Sequence, residues 1–228
     1  MTKVLIAGLA VAAATATASA GTVTIEFGDG SRHNPLPGSP TTIANNRGGE
    51  FLVTGSLGNF SSFCLEYNEA IDESTYDYTI DMGAIQGGLG GGNPDPIGRE
   101  TAELYRQFVA GSLGPTGGQS VEDFNNALQD AFWFLEEELG DVDFDAATAA
   151  DSSVNFANLA DTAQSLIDSV WGTTKGVGRV RALNLKTVSS GSNRQSILYI
   201  TAIPLPGAGA LAMAGLVGMA AVRRRRIR

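Results

Sequence analysis

Apolar and polar residues alternate toward both ends of the body of this chain and recur with a helical period in its middle. Residues 22–27 alternate strictly, and successive side chains on a strand face opposite ways, so a first strand is expected there. Residues 50–57 and 60–67 read as two more strands around a turn at Gly58-Asn59. Residues 75–82 give a short strand with Tyr76, Tyr78 and Ile80 on one face. Residues 177–188 and 195–202 close the body as two further strands.

Between these strands the period changes. Residues 99–110 bring Ala102, Tyr105, Phe108 and Val109 near one face, and Gly111 supplies a stop signal. Ser120 stands at an N-cap position with Asp123 three residues on, an imperfect capping box. From Val121 the apolar stripe runs through Phe124, Ala127, Leu128, Ala131, Phe132, Leu135 and Leu139, and Gly140 is expected to end the helix. A third helix is expected over residues 154–171, capped by Ser152 or Ser153, with Leu159, Ala163, Leu166, Ile167 and Val170 as its core face. Strands on either side of three helices predict an α+β domain: an antiparallel sheet or sandwich carrying a helical insert. No internal repeat is visible.

The remaining stretches read as loops. Residues 28–49 are rich in glycine, proline and asparagine and hold His33, the only histidine, on which any Ser-His-Asp or Cys-His site would depend. Residues 83–98 are glycine-rich but lack the lysine and the strand-to-helix setting of a phosphate-binding loop. Asp141, Asp143 and Asp145 alternate, yet the glycine and closing glutamate of a calcium loop are missing, so a solvated acidic loop is expected. Glu136, Glu137 and Glu138 are consecutive, point to different helix faces and read as a solvated run. No set of zinc ligands is present, and no cofactor or metal is expected. The body reads as a non-enzymatic protein.

The two ends change the picture. Residues 1–20 combine Lys3, an apolar run and the small-residue site Ala18-Ser19-Ala20, the pattern of a signal peptide that leaves Gly21 as the mature N-terminus. At the other end an apolar run over residues 207–222 is followed by Arg223, Arg224, Arg225, Arg226 and Arg228. Such a run can cross a membrane with snorkelling flanks, and the arginines hold its far side in the cytoplasm. Lys3 and these five arginines account for six of the 15 basic residues, and neither end carries an acid, so residues 21–202 keep nine basic against 24 acidic residues. A net charge of −15 excludes nucleic acid as a natural partner and suits an exported protein.

The motif Ile203-Pro204-Leu205-Pro206, one apolar helix and a terminal arginine cluster resemble the bacterial PEP-CTERM sorting signal. The form is that of the Val-Pro-Leu-Pro variant, without the acidic residue of Pro-Glu-Pro. The resemblance implies transient anchoring in the inner membrane by residues 203–228 and processing near the prolines by an exosortase-like enzyme. It also implies a surface or matrix setting in a bacterium that makes exopolysaccharide.

One cysteine in an exported chain cannot form an internal disulfide. Cys64 follows Phe63 on an expected strand; Gln129 lies in Leu128-Gln129-Asp130-Ala131-Phe132-Trp133 on the best helix. This pairing resembles the thioester domains of bacterial surface adhesins, in which a cysteine after an aromatic residue joins a glutamine ahead of an Ala-aromatic or Ala-Ile-Trp stretch; here Phe132 replaces the commoner aliphatic residue. The resemblance implies an internal thioester between Cys64 and Gln129, shielded from water by Phe63, Phe132 and Trp133. It would capture a surface amine or hydroxyl nucleophile, and truncating either Cys64 or Gln129 to alanine should leave the fold intact. The competing reading is a non-covalent structural or polysaccharide-binding matrix protein in which Cys64 is a small buried hydrophobe.

Overall fold

A computed structural model describes residues 21–29, 48–67, 69, 71–86, 92–138 and 159–202. The expected signal peptide, His33, the aspartate loop, the expected membrane helix with Pro204, Leu205 and Pro206, and the arginine cluster lie outside the described residues. Among the described residues no helix is long and apolar enough to cross a membrane.

The body is α+β. Six antiparallel strands form one sheet in the order β3-β2-β1-β4-β7-β8, with β1 at Thr22–Phe27, β2 at Phe51–Gly55, β3 at Phe60–Ser62, β4 at Thr75–Asp81, β7 at Val180–Thr187 and β8 at Asn193–Ile200. A two-stranded ladder, β5 (Gly83–Ala84) with β6 (Asp95–Pro96), sits beside β7. The early strands thus pair with the late ones through β4 and β7, where Tyr76 faces Thr187 and Ile80 faces Leu183. Alternation does the sorting: Val23, Ile25, Phe51 and Val53 are buried while their neighbours Thr22, Leu52 and Glu26 are exposed.

The two edge strands of the six-stranded sheet, β3 and β8, meet. Beyond β3 the chain leaves the regular ladder, yet Leu198 N donates to Phe63 O at 3.1 Å and Leu65 N donates to Ser196 O at 2.9 Å. Cys64 therefore faces Ile197 in an antiparallel bridge that joins β3's continuation to β8. The strand expected over residues 60–67 is shortened to Phe60–Ser62 because residues past it turn toward the helices and keep only this bridge.

Helices α1 (Arg99–Val109) and α2 (Val121–Leu135) reach this seam, and α3 (Asp161–Val170) packs on both of them. The Tyr105 hydroxyl on α1 lies 2.8 Å from Ser61 O and 3.1 Å from Leu198 O, so it ties the helix to both edges. Helix α2 is buried without a break from Ala127 to Phe134. A helix covered on every side is a core helix, which is why its polar residues Gln129 and Asp130 are buried with the apolar ones.

Two helix boundaries differ from expectation. Helix α2 starts as expected, with Ser120 Oγ accepting from Asp123 N at 3.0 Å. It ends at Leu135, five residues before Gly140. Glu137 takes a left-handed φ of 62°, Glu137 N donates to Phe134 O and Glu138 N donates to Trp133 O. Those crossed bonds are a Schellman stop made without glycine. It folds Glu138 back into the protein, so the glutamate run is not a solvated one: Glu136 and Glu138 are buried and only Glu137 is exposed. Helix α3 begins at Asp161 behind Ala160, because Leu159 and Ala160 are already non-helical; Ser152 and Ser153, outside the described residues, are not its caps.

Candidate functional site

Cys64 and Gln129 meet at the seam. The β8 bridge fixes the main chain of Cys64, and the buried middle of α2 presents Gln129 to it. Cys64 N donates to Gln129 Oε1 at 2.9 Å, and Gln129 Nε2 donates to Cys64 O at 3.0 Å. The carboxamide thus pairs with both main-chain groups of the residue that carries the thiol. Gly49 N donates to the same Oε1 at 3.2 Å. Two backbone N–H groups on one carbonyl oxygen polarise that carbonyl, and they would stabilise negative charge developing there.

The glycines of this cover carried no signal in the sequence beyond a loop assignment. A Cβ on Gly48 would fall inside the contact distance of Trp133 Cη2 and 2.7 Å from Gln129 Cγ, so only glycine lets the main chain pass this close. Gly49 has a φ of 98°, in the region that favours glycine. Gly48-Gly49 is therefore a lid strand laid on Gln129 and Trp133.

Trp133, one turn after Gln129, lies under Gly48 and meets the Tyr67 ring edge-on at 5.0 Å between centroids. Phe63 and Phe132 pack on each other at 5.2 Å and extend into a cluster with Phe108 and Tyr105 of α1. All three shielding residues expected from the sequence are buried, as are Cys64 and Gln129, so bulk water is excluded from the pair. Tyr67 belongs to this wall as well, and sequence spacing did not single it out.

The electrostatics are those of a buried site with acids close by. Burial pushes the Cys64 thiol well above its ordinary pKa, and the nearby Glu66 carboxyl adds to the effect. Burial also raises Glu66 to about 8, despite the Ser196 N–H that its Oε2 accepts at 3.2 Å; the Glu69 and Glu138 charges push the same way. Glu138 Oε2 accepts from Tyr67 N at 2.8 Å, which ties the end of α2 to the segment after Cys64. Glu136 accepts from Gly98 N, at the N-terminus of α1, at 2.9 Å, and burial raises it to about 7. Comparisons of the chain with protein-family models, with curated proteins and with solved structures found no match.

Proposed function

We propose that this is an exported surface or extracellular-matrix protein that attaches covalently to a partner through an internal thioester between Cys64 and Gln129. The observation that carries the proposal is the grip on the Gln129 carboxamide: its oxygen accepts from Cys64 N and Gly49 N while its nitrogen donates to Cys64 O. The sulfur bonds to the amide carbon, the carbon–nitrogen bond breaks, and the thiol proton leaves with the nitrogen as ammonia. The oxyanion of the intermediate sits where the two N–H groups already point. A surface amine then displaces sulfur, giving an amide through Gln129 and restoring the thiol; a hydroxyl gives an ester. Burial of the pair keeps water from doing the same first.

The tail gives this chemistry its setting. Residues 1–20 direct export and residues 203–228 provide a PEP-CTERM-like signal, read by an exosortase-like enzyme at Pro204-Leu205-Pro206. The arginines stop transfer through the inner membrane until cleavage, and residues 21–202 end at the cell surface or among exopolysaccharide.

The alternative is a non-covalent structural or polysaccharide-binding matrix protein. It is favoured by the completeness of the Gln129 hydrogen bonding, which would serve equally well as a structural pin. Intact mass of the mature domain separates the two. A thioester makes the chain lighter by one ammonia, and methylamine then adds at Gln129. Full mass with no adduct leaves the matrix protein as the account.

A further inference from the structure

Residues 48–50 run antiparallel along one stripe of α2. Asn125, Gln129 and Trp133 are spaced four apart, so they share a helix face. Gly48 lies against Trp133 and the Gln129 side chain, Gly49 N donates to Gln129 Oε1 at 3.2 Å, and Glu50 Oε2 accepts from Asn125 Nδ2 at 2.9 Å. The same Asn125 Nδ2 donates to Asp29 O at 3.2 Å. Asn125 is buried and thereby holds both the chain leaving β1 and the chain entering β2 against α2, one turn from the glutamine. On the strand side, Gly28 N donates to Glu50 O at 2.9 Å, and the Glu50 side chain passes so near Gly28 that a Cβ there would stand 3.2 Å from its Cγ. Of the two donors to Oε1, Cys64 N is held in place by the bridge to β8. Gly49 belongs to no strand, and its neighbour Glu50 is the residue bonded to Asn125.

Resting on the thioester reading, we infer that Asn125 is a positioning residue for thioester formation: its bond to Glu50 sets the register of residues 48–50 along α2, so that the Gly49 N–H falls on the Gln129 carbonyl oxygen. Attack by sulfur puts negative charge on that oxygen, and a donor already aimed at it lowers the barrier. Hydrogen bonds weaken steeply as they lengthen or bend, and the Gly49 bond is already the longer of the two on this oxygen. Asn125 acts through Glu50 and Gly49 rather than on the reacting atoms. Asparagine suits the task because its neutral amide carries two N–H donors, one for Asp29 O and one for the Glu50 carboxylate. An aspartate of the same shape has neither donor when ionised and would set a second carboxylate against Glu50.

The test compares the mature domain of wild type with Asn125→Asp. Amide hydrogen exchange read by NMR follows the Gly49 N–H directly, with the Cys64 N–H on the same oxygen as internal reference. In the variant Gly49 should exchange on the order of tenfold faster, while Cys64 stays as in wild type. Intact mass reads the chemistry. Losing one such donor slows a reaction by roughly 10²–10³-fold, so wild type should have lost its ammonia while most variant chains keep an untouched Gln129 amide. Adding Glu50→Gln to Asn125→Asp turns the pair round, with the amide donating to the carboxylate, and should recover part of the ammonia loss; a double variant as defective as the single one overturns the role. Wild-type ammonia loss or unchanged Gly49 exchange in a folded Asn125→Asp also overturns it and leaves the thioester standing. Variant chains that lose ammonia and then take up water, leaving an acid at position 129, would show residues 48–50 to be only a cover, and overturn the role as well. A wild-type chain of full mass removes the thioester reading and the role with it. If Asn125→Asp does not fold, Glu50→Ala removes the same bond from its half-buried partner and decides on the same two readouts.

Discussion

Replacing Gln129 by alanine removes the partner of three buried main-chain groups at once. Cys64 N, Gly49 N and Cys64 O all bond to the carboxamide, at 2.9, 3.2 and 3.0 Å, and Gln129 itself has no exposed surface. A buried donor or acceptor left without a partner costs about 1–3 kcal/mol. Taking the low end for each, because the Gly48-Gly49 lid can relax, gives roughly 3 kcal/mol before any penalty for the cavity. At about 2–4 °C per kcal/mol for a domain of this size, the melt should fall by roughly 6–12 °C. Sequence reasoning expected this truncation to leave the fold intact; the hydrogen bonding argues that it is among the more damaging single changes available here. Measured against the unlinked chain, Cys64→Ala loses only a small buried thiol and should cost on the order of 1 kcal/mol. Denaturant unfolding of the two variants, followed through the buried Trp133, measures both. If Gln129→Ala loses less than about 1 kcal/mol, the carboxamide is not the pin described and the polarised-carbonyl argument fails with it.

Gly48→Ala drives a methyl group into Trp133 and Gln129, both buried, and overpacking of that kind typically costs about 1–3 kcal/mol; unchanged stability and unchanged ammonia loss would show that the lid does not touch the site. The domain should be most stable in mild acid, between about pH 4 and 5. Burial holds Glu66 and Glu136 protonated up to about 8 and 7, while the unfolded chain releases those protons near pH 4.3, so stability falls as pH climbs from there, by up to about 1.4 kcal/mol per unit for each group. Burial works against Glu103, but hydrogen bonds from Lys175, Arg106 and Gln107 bring it down to about 2, so its contribution is present above pH 4.3 and lost below. Melts across pH 3–9 check this, and stability that rises from pH 5 to 8 refutes it.

The strands and helices were legible because each is a local pattern. Residues 22–27 alternate and form β1 with those bounds, and Ser120 caps α2 where its spacing with Asp123 said it would. The juxtaposition of Cys64 with Gln129 was readable only as a pair of flanking motifs. What escaped was non-local or depended on a conformation that sequence disfavours. Glutamate in the left-handed region is uncommon, so Gly140 was the natural place to end α2; the crossed hydrogen bonds at Glu137 stop it early instead. That early stop is what buries Glu138 against Tyr67 N. Gly48 looked like one more loop glycine because the reason for it, the ring of Trp133, lies far along the chain. Glu66 passed unnoticed for a similar reason: its anchor on Ser196 is 130 residues away.

The seam also predicts how the covalent state and stability are linked. Cys64 and Gln129 are 65 residues apart in sequence. A thioester between them closes a loop of that length, which in the chain-entropy treatment of cross-links stabilises the fold by roughly 4 kcal/mol. The reaction expels the nitrogen that donates to Cys64 O, so about 1 kcal/mol is returned, while the oxygen keeps both of its donors. Opening the bond with methylamine leaves the adduct on Gln129 and frees the loop. The melt should then fall by roughly 6–12 °C. Differential scanning calorimetry before and after methylamine, with Cys64→Ala as the never-linked control, reads this directly. The control should melt close to the reacted protein, and methylamine should not move it. A reacted domain that melts as high as the unreacted one would mean that the two residues are held together by the sheet seam and α2 alone, with no cross-link contributing.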